Sequence, residues 1–395
     1  MASALEHIKV LDLTRTLAGP FCTMLLGDMG ADVIKVEQPE KGDESRHFTP
    51  PSWNGESTFF LASNRNKRSA TLNLKSEQGR KIVLDLARGA DVFVENFRTG
   101  SAERMGLGYD SLRELNPRII YCSISGFGRT GPDKHKAGYD LILQGYGGGM
   151  SITGEPDRPP AKTGMSLADL STGLFAVYGI LTAIIAREKT GEGQLVDAGI
   201  LDGQVALLNY IVTGYLASGR VPGRMGSAHP SVVPYQAFET EDVDVIIAVA
   251  NDGLWLKLCD ALGWGDLKED PSLATNDKRV NNRERLVAVM NERLRSLTSK
   301  EVLFRLEEAG VPSGPVHNVE QVVNLPQVKE RRSILEIEHP LIPDLKVPGF
   351  AAKLSETPGE VRCPPPLLGQ HTVEVLKELG YDEERVKELH ESGVC

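Results

Sequence analysis

The chain has 395 residues, enough for two hydrophobic cores, with a globular composition of 41% hydrophobic, 25% charged and 6% aromatic residues. Its formal net charge of -10, with no long block of one sign, excludes broad electrostatic binding to nucleic acid or anionic membrane, which both need clustered Lys and Arg. A ligand carrying several negative charges would need a local basic pocket here, because the mean field repels it.

Residues 8–13 read as a strand, Pro20 suits the first turn of a helix running to about Asp28, and Gly30 closes it. A strand at 33–36 follows, so the chain opens with a βαβ unit. The alternation continues with a strand at 69–74, a helix at 77–88, a strand at 92–95, a helical turn at 111–115 and a β-branched strand at 118–125. Such alternation implies an α/β fold with a mostly parallel sheet covered on both faces. Gly145, Gly147, Gly148, Gly149 and Gly154, then Pro156, Pro159 and Pro160, mark a mobile loop. From about Ala168 a long helix carries Leu170, Leu174, Val177, Leu181 and Ile184 at helical spacing and stops at Lys189-Thr190-Gly191. Residues 194–198 return as a strand and 201–216 as a helix. A Gly-, Arg- and Pro-rich stretch at 218–227 changes the character of the chain. Strands at 235–238 and 245–249 and helices at 254–262, 283–297 and 300–309 then make a smaller α+β domain at 226–325. The tail, with Pro364-Pro365-Pro366 and a helix at 372–379, is expected to pack on the first domain.

Cys22, Cys122, Cys259, Cys363 and Cys395 show no CxxC and no metal-ligand spacing, so they read as reduced intracellular thiols, and no metal is expected. No secretory or Arg-rich leader precedes the first strand, and the most apolar stretch, 174–186, is broken by Gly179 and Thr182 and short for a bilayer. The expectation is a soluble protein.

Gly126-Phe127-Gly128-Arg129-Thr130-Gly131 follows a strand and matches GxGxxG. A dinucleotide site also needs a helix opening at the last glycine and an acid about 20 residues on. Here Pro132, Asp133 and Lys134 follow, so the motif reads as a turn that lets a ligand or loop approach closely. Asp169 stands where the glycine/proline loop meets the first turn of the long helix. Spacing alone makes it a cap or a dipole partner, an arrangement contributing about 0.3–1 kcal/mol.

Spaced motifs along the whole chain change that weight. Val10-Leu11-Asp12-Leu13-Thr14 through Ala18-Gly19-Pro20, Gly30-Ala31-Asp32-Val33-Ile34-Lys35-Val36-Glu37, Asn64-Arg65-Asn66-Lys67-Arg68, Val94-Glu95-Asn96-Phe97, Met105-Gly106-Leu107-Gly108-Tyr109, Val233-Pro234-Tyr235-Gln236-Ala237-Phe238, Gly310-Val311-Pro312 and Pro364-Pro365-Pro366-Leu367-Leu368-Gly369-Gln370-His371 resemble the family III CoA-transferases of the CaiB/BaiF type. Ser69-Ala70-Thr71-Leu72-Asn73-Leu74-Lys75 and Gly226-Ser227-Ala228-His229 are most similar to members that move CoA from succinyl-CoA to glutarate or 3-hydroxy-3-methylglutarate.

The resemblance implies covalent catalysis with Asp169 as nucleophile, passing through an aspartyl anhydride and an aspartyl-CoA thioester. Coenzyme A is then a substrate, and no cofactor is held tightly. CoA contacts carry over to Leu17, Ala18, Gln38, Leu72, Lys75, Asn96, Phe97, Arg98, Arg104, Lys136, Ala137, Gly138 and Tyr139. Lys75, Arg98, Arg104 and Lys136 would supply the local positive charge that the acidic whole lacks. Gly147 and Gly148 are candidate oxyanion donors, Asp140 orients groups around Asp169, His229 is a candidate substrate contact, and Arg46 is the candidate partner for a distal carboxylate. The acid is expected dry and ionised.

Two departures narrow the reading. Formyl-CoA/oxalate members have glutamine where this chain has Leu17, and racemases of the superfamily have histidine where it has Tyr139. Without that imidazole, two-base proton exchange at an α-carbon loses a partner, so the 2-methylacyl-CoA racemase alternative ranks second. The family further implies a Rossmann-like large domain over 1–200 completed by 350–395, linkers at 201–225 and 326–349, and an interlocked homodimer. Its partners are acyl-CoA and small carboxylic acids, in the cytoplasm or, for animal relatives, the mitochondrial matrix.

Overall fold

Six short runs of apolar and β-branched residues pair side by side into one parallel sheet in the computed structural model, which describes residues 3–395. They are β1 (Lys9–Asp12), β2 (Asp32–Glu37), β3 (Lys67–Thr71), β4 (Val92–Glu95), β5 (Ile120–Ser125) and β6 (Leu195–Gly199). Their spatial order is β3-β2-β1-β4-β5-β6. In register, Val10 lies beside both Val33 and Val92. This is the doubly wound order in which the chain starts in the middle, works outward to one edge, then returns to build the other half.

Successive side chains alternate between two buried faces, so these strands read as continuous apolar runs. Val10, Val33, Val92, Val94, Ile120 and Ile124 pack under α1 (Ala18–Asp28) and the long helix described below. Leu11, Phe93 and Tyr121 face the other way, against α2 (Glu77–Arg88) and α3 (Tyr109–Leu115). A short helix, α4 (Asp140–Tyr146), occupies the start of the stretch expected to be a loop, and α5 (Leu167–Thr190) begins after it. At 24 residues α5 is long and apolar enough to cross a membrane, but it sinks Ala168, Thr172, Ala176, Ile180 and Ala183 into the core.

The helix expected over 201–216 is in fact two, α6 (Ile200–Leu208) and α7 (Tyr210–Ser218), bent by 68°. The break sits at Asn209, whose φ of +40° cannot continue a right-handed helix. Asparagine tolerates positive φ better than other non-glycine residues.

The chain divides into two compact units. One comprises the chain up to Gly149, Lys162–Arg220 and Lys329–Cys395. The other comprises Met150–Ala161 and Val221–Val328. The second unit has a three-stranded antiparallel sheet of β7 (Tyr235–Phe238), β8 (Val245–Ala248) and β9 (Ser313–Pro315), with β8 central. Helices α8 (Asp252–Leu262), α9 (Arg283–Leu294) and α10 (Ser299–Glu308) cover it, burying Trp255, Leu258, Met290 and Leu306. Arg279 is fully buried there, donating to Val233 O, Leu273 O and Asp252. The Gly/Pro loop in this unit is held by Arg224, which donates to the carbonyls of Glu155, Pro156 and Arg158.

Three late elements complete the first unit: a hairpin of β10 (Ile334–His339) and β11 (Ile342–Pro348), then α11 (Thr372–Glu378) and α12 (Glu383–Glu391). Arg68 on the edge strand β3 pins α11 through Glu374 and Glu378. The hairpin and α12 were not expected from the sequence.

The Asn209 geometry makes a stability prediction. Asn209→Gly should leave the thermal midpoint unchanged or raise it, whereas Asn209→Val should cost about 1–2 kcal/mol, as read by chemical denaturation.

Candidate active site

Loops leaving the carboxyl ends of the parallel strands enclose two adjoining cavities. The first, about 390 Å³, is walled by Leu13 to Arg15 after β1, Glu37 and Gln38 at the end of β2, Leu72 to Lys75 after β3, and Phe97 and Arg98 after β4. The second, about 310 Å³, is walled by Arg15 to Ala18, Asn96 to Thr99, Ser125 and Gly126 at the end of β5, Ile200 after β6, Lys134, Lys136 to Tyr139, and Asp169. The residues common to both, Arg15, Phe97 and Arg98, follow β1 and β4. Those are the central strands at which the winding direction reverses, the place where open parallel sheets leave a crevice.

The loop after β1 is clamped by buried side chains at successive backbone groups. Asp12 accepts from Thr14 N at 2.8 Å, and Lys35 Nζ donates to Thr14 O at 2.8 Å. Asn96 Oδ1 accepts from Arg15 N at 2.9 Å while its Nδ2 donates to Arg15 O at 2.7 Å. Asp43 accepts from Thr16 N at 3.0 Å, holding Thr16 at a φ of +72°. The clamping groups are themselves ion-paired: Lys35 to Asp43 at 2.9 Å and Lys67 to Asp12 at 3.1 Å, all fully buried. Burial alone would raise the Asp12 and Asp43 carboxyls, but the neighbouring lysines hold both below the usual range. Burial pulls Lys67 down to about 8, against the opposing pull of Asp12. On the next loop, Glu95 accepts from Phe97 N at 2.7 Å. Burial pushes the Glu95 carboxyl up to about 7, offset in part by Ser123, the Phe97 N–H and Arg129.

Asp169 lies in the first turn of α5. Ser166, the residue at the N-cap, makes no side-chain cap. Asp140 from α4 does that work, its Oδ1 accepting from Ala168 N at 2.9 Å and Asp169 N at 3.3 Å. The buried Gln144 holds the other Asp140 oxygen at 2.7 Å and accepts from Thr163 N at 2.9 Å. Gly173, one turn after Asp169, lets α5 close on α1, since a Cβ there would meet Ala18 O at 2.8 Å. The Asp169 carboxyl itself finds no hydrogen-bond or ion-pair partner among the described residues. Burial, and then the charge of Asp140, push it up to about 7. The helix dipole acts the other way by about 0.3–1 kcal/mol, less than one unit, so it does not restore an ordinary carboxylate. With no donor facing it among the described residues, the protonated form of Asp169 is favoured relative to an ordinary carboxylate, which works against the expected ionised acid.

Of the residues singled out from the sequence, Gln38, Leu72, Lys75, Phe97 and Arg98 line the first cavity. Leu17, Ala18, Asn96, Lys136, Ala137, Gly138, Tyr139 and Asp169 line the second. The Asn96 amide, however, is occupied by the Arg15 backbone, so its side chain braces the wall. Gly138 packs its backbone on Gly126, where an added Cβ would come within 2.5 Å, so the GxGxxG turn is a site of close loop approach.

Other expectations shift. Arg104 turns onto Ser101 at 2.8 Å and lines neither cavity. Arg46 is held by Glu37 through two bonds of 2.8 and 2.7 Å and stacks on Phe60, so its guanidinium is not available to a distal carboxylate. Gly147 N and Gly148 N close turns onto Leu143 O and Gly145 O, which removes them as oxyanion donors in this conformation. His229 belongs to the second unit, where its Nδ1 accepts from Ser231 N at 3.1 Å beside the Tyr235 ring. Sequence reasoning missed Arg15, Ser125 and Ile200, which a rule of looking just past each strand end would have found, and Lys134, which sits in a turn with no periodic signal.

The family model for CoA-transferase family III matches residues 5–372. A human succinyl-CoA:glutarate CoA-transferase is 44% identical over 391 residues, covering 99% of this chain and 89% of the relative. A succinyl-CoA:mesaconate CoA-transferase of Haloarcula marismortui is 42% identical, covering 96% of this chain and 97% of the relative. The crystal structure of a CAIB/BAIF family protein from Brucella suis superposes with a TM-score of 0.86 at 42% identity, covering 96% of this chain and all of that one.

A raised carboxyl destabilises the fold as pH climbs from its unfolded value toward its folded one, because the unfolded state ionises first. Asp169→Asn, which removes that penalty, should therefore exceed the parent stability by on the order of 1–2 kcal/mol at pH 5 and 3–4 kcal/mol at pH 8. Denaturant titrations at the two pH values check both the sign and the widening gap.

Proposed function

The chain belongs to the family III CoA-transferases and is itself a CoA-transferase; from that premise we propose that it moves CoA from succinyl-CoA to a free dicarboxylic acid, glutarate or 3-hydroxy-3-methylglutarate, with Asp169 as the covalent carrier. The observation that carries this reading is a carboxyl with no hydrogen-bond or ion-pair partner among the described residues, at a helix start, in a cavity whose wall holds four basic side chains. Named relatives acting on glutarate and mesaconate support the dicarboxylate class.

The nucleotide end of CoA occupies the first cavity, near Gln38 and Lys75. The pantetheine arm crosses Arg15, Phe97 and Arg98, placing the thioester at Asp169. An Asp169 oxygen attacks the donor carbonyl, forming a C–O bond as the C–S bond breaks, and CoA leaves as its thiolate. The thiolate then attacks Cγ of Asp169, releasing the donor acid and leaving an aspartyl-CoA thioester. The acceptor carboxylate attacks the same carbon and expels the thiolate, which finally takes the acceptor acyl group and frees Asp169. Every entering and leaving group is a carboxylate or thiolate, so the cycle needs no net proton, only an ionised Asp169 at its start. For free enzyme, kcat/KM should therefore climb as pH rises through about 7 and level off above it, which stopped assays across pH 5.5 to 9 would show.

A homodimer is supported by exposed apolar residues on three helices of the first unit. Leu174, Tyr178 and Ile185 on α5, Leu207 on α6, and Tyr210 and Leu216 on α7 are all exposed. A second copy of the chain, interlocked as in the family, would cover them. Light scattering should give a dimer mass, and differently tagged dimers should not exchange subunits until denatured; rapid exchange would refute the interlocking.

Asp169→Ala should lower transfer by at least about 10³-fold while retaining CoA affinity. With succinyl-CoA present, hydroxylamine should convert the Asp169 thioester of the parent enzyme to a hydroxamate and borohydride should reduce it to an alcohol, each releasing CoA and each located by peptide mass. Transfer by Asp169→Ala at near-parent rates would refute the carrier role.

A further inference from the structure

Four basic side chains stand on the wall of the cavity that contains Asp169: Arg15, Arg98, Lys134 and Lys136. Arg15 is paired with Glu44 at 2.9 Å and lies over Phe97. Lys136 is paired with Asp133 at 2.9 Å. Arg98 is exposed and lines the neighbouring cavity as well, where Lys75 also lies, so it belongs with the polyanionic end of a CoA ester. Lys134 differs on each count. It is half-buried, lines the Asp169 cavity and not its neighbour, and has no hydrogen-bond or ion-pair partner among the described residues.

A half-buried ammonium without a counter-ion is unfavourable, and a ligand anion would offset its lost hydration. The turn that carries it is already braced. Lys136 N donates to Asp133 O at 2.9 Å, and Tyr146 of α4 donates its hydroxyl to Asp133 Oδ2 at 2.6 Å. Gly126 and Gly138 fix the following loop by backbone contact. The cation is therefore presented by an anchored turn, and little further ordering is needed to use it.

We propose that Lys134 is the specificity-determining residue for the acid, binding the distal carboxylate of a dicarboxylate whose other carboxylate reacts at Asp169. The inference rests on the CoA-transfer reading above and adds to it the side chain that separates dicarboxylic from monocarboxylic acids. It takes the role that Arg46, held by Glu37, does not fill.

The test uses the full chain, with succinyl-CoA as donor and either glutarate or butyrate as acceptor, alongside calorimetric titration of free CoA. Lys134→Met should raise KM for glutarate by about 10- to 100-fold with a smaller change in kcat, the scale of a lost charge-assisted bond. KM for butyrate and the Kd for CoA should stay within about two-fold, since neither uses this cation. Lys134→Arg should recover most of the glutarate KM. An equal loss for both acceptors, or a CoA Kd weakened about ten-fold, would assign the lysine to CoA and overturn the proposal. Unchanged glutarate kinetics would overturn it too. Parent enzyme that transfers CoA to neither acid and yields no adduct at Asp169 would instead sink the underlying reaction, a result distinct from any of these.

Discussion

Five consecutive backbone groups, from Thr14 N to Thr16 N, are each engaged by a side chain of Asp12, Lys35, Asn96 or Asp43. This clamp is the constraint on which the site depends. A loop that leaves the middle strand of a parallel sheet has no ladder partner for its polar groups, and buried groups left unpaired are costly. Here charged and amide side chains take the place of the ladder, so Arg15 and Leu17 are presented on the cavity wall by a rigid loop. Removing one member of such a buried ion pair typically costs about 3–5 kcal/mol. The network is thus a demanding way to hold a loop, and its position beneath the crevice indicates that it serves geometry.

Asp140 and Gln144 do for Asp169 what that clamp does for Arg15. Because Asp140 satisfies the first N–H groups of α5 from another helix, Asp169 is left without a capping duty and its carboxyl faces the cavity. Burial first, and then the Asp140 charge that the same arrangement sets nearby, raise the Asp169 carboxyl to about 7. A carboxyl so placed is a poor stabiliser of the fold, because ionising it leaves a buried charge without a partner among the described residues. If Asp169 is the proposed carrier, stability is lost at the residue that does the chemistry, the trade-off common at active sites.

The acidic whole and the basic pocket are consistent with one another. A net charge of -10 repels anions on average, while Lys75, Arg98, Arg15, Lys134 and Lys136 gather on the walls of two adjoining cavities. An anionic substrate is therefore favoured in the crevice and disfavoured on the rest of the surface.

Period-two and period-3.6 patterns reached most of the fold from the sequence, because strands buried on both faces and helices packed against them leave dense apolar runs: Glu77–Arg88, Val92–Glu95 and Tyr235–Phe238 fall where the sequence put them. The break at Asn209 was invisible because its apolar neighbours continue the helical pattern on both sides. The β10–β11 hairpin, with apolar residues on one face only, left too faint a pattern among its charges. At the site, spaced motifs alone pointed to Asp169 and to residues such as Leu17, Gln38, Lys75 and Tyr139. The motifs also suggested Arg104, and residue chemistry suggested Arg46 and the glycines at 147 and 148, positions whose availability depends on who else is near. Whether a cation is already paired, as Arg46 is and Lys134 among the described residues is not, is set by which side chains the fold brings beside it. Only the tertiary structure decides that, because a charge's neighbours, unlike its chemistry, are not encoded in its own position.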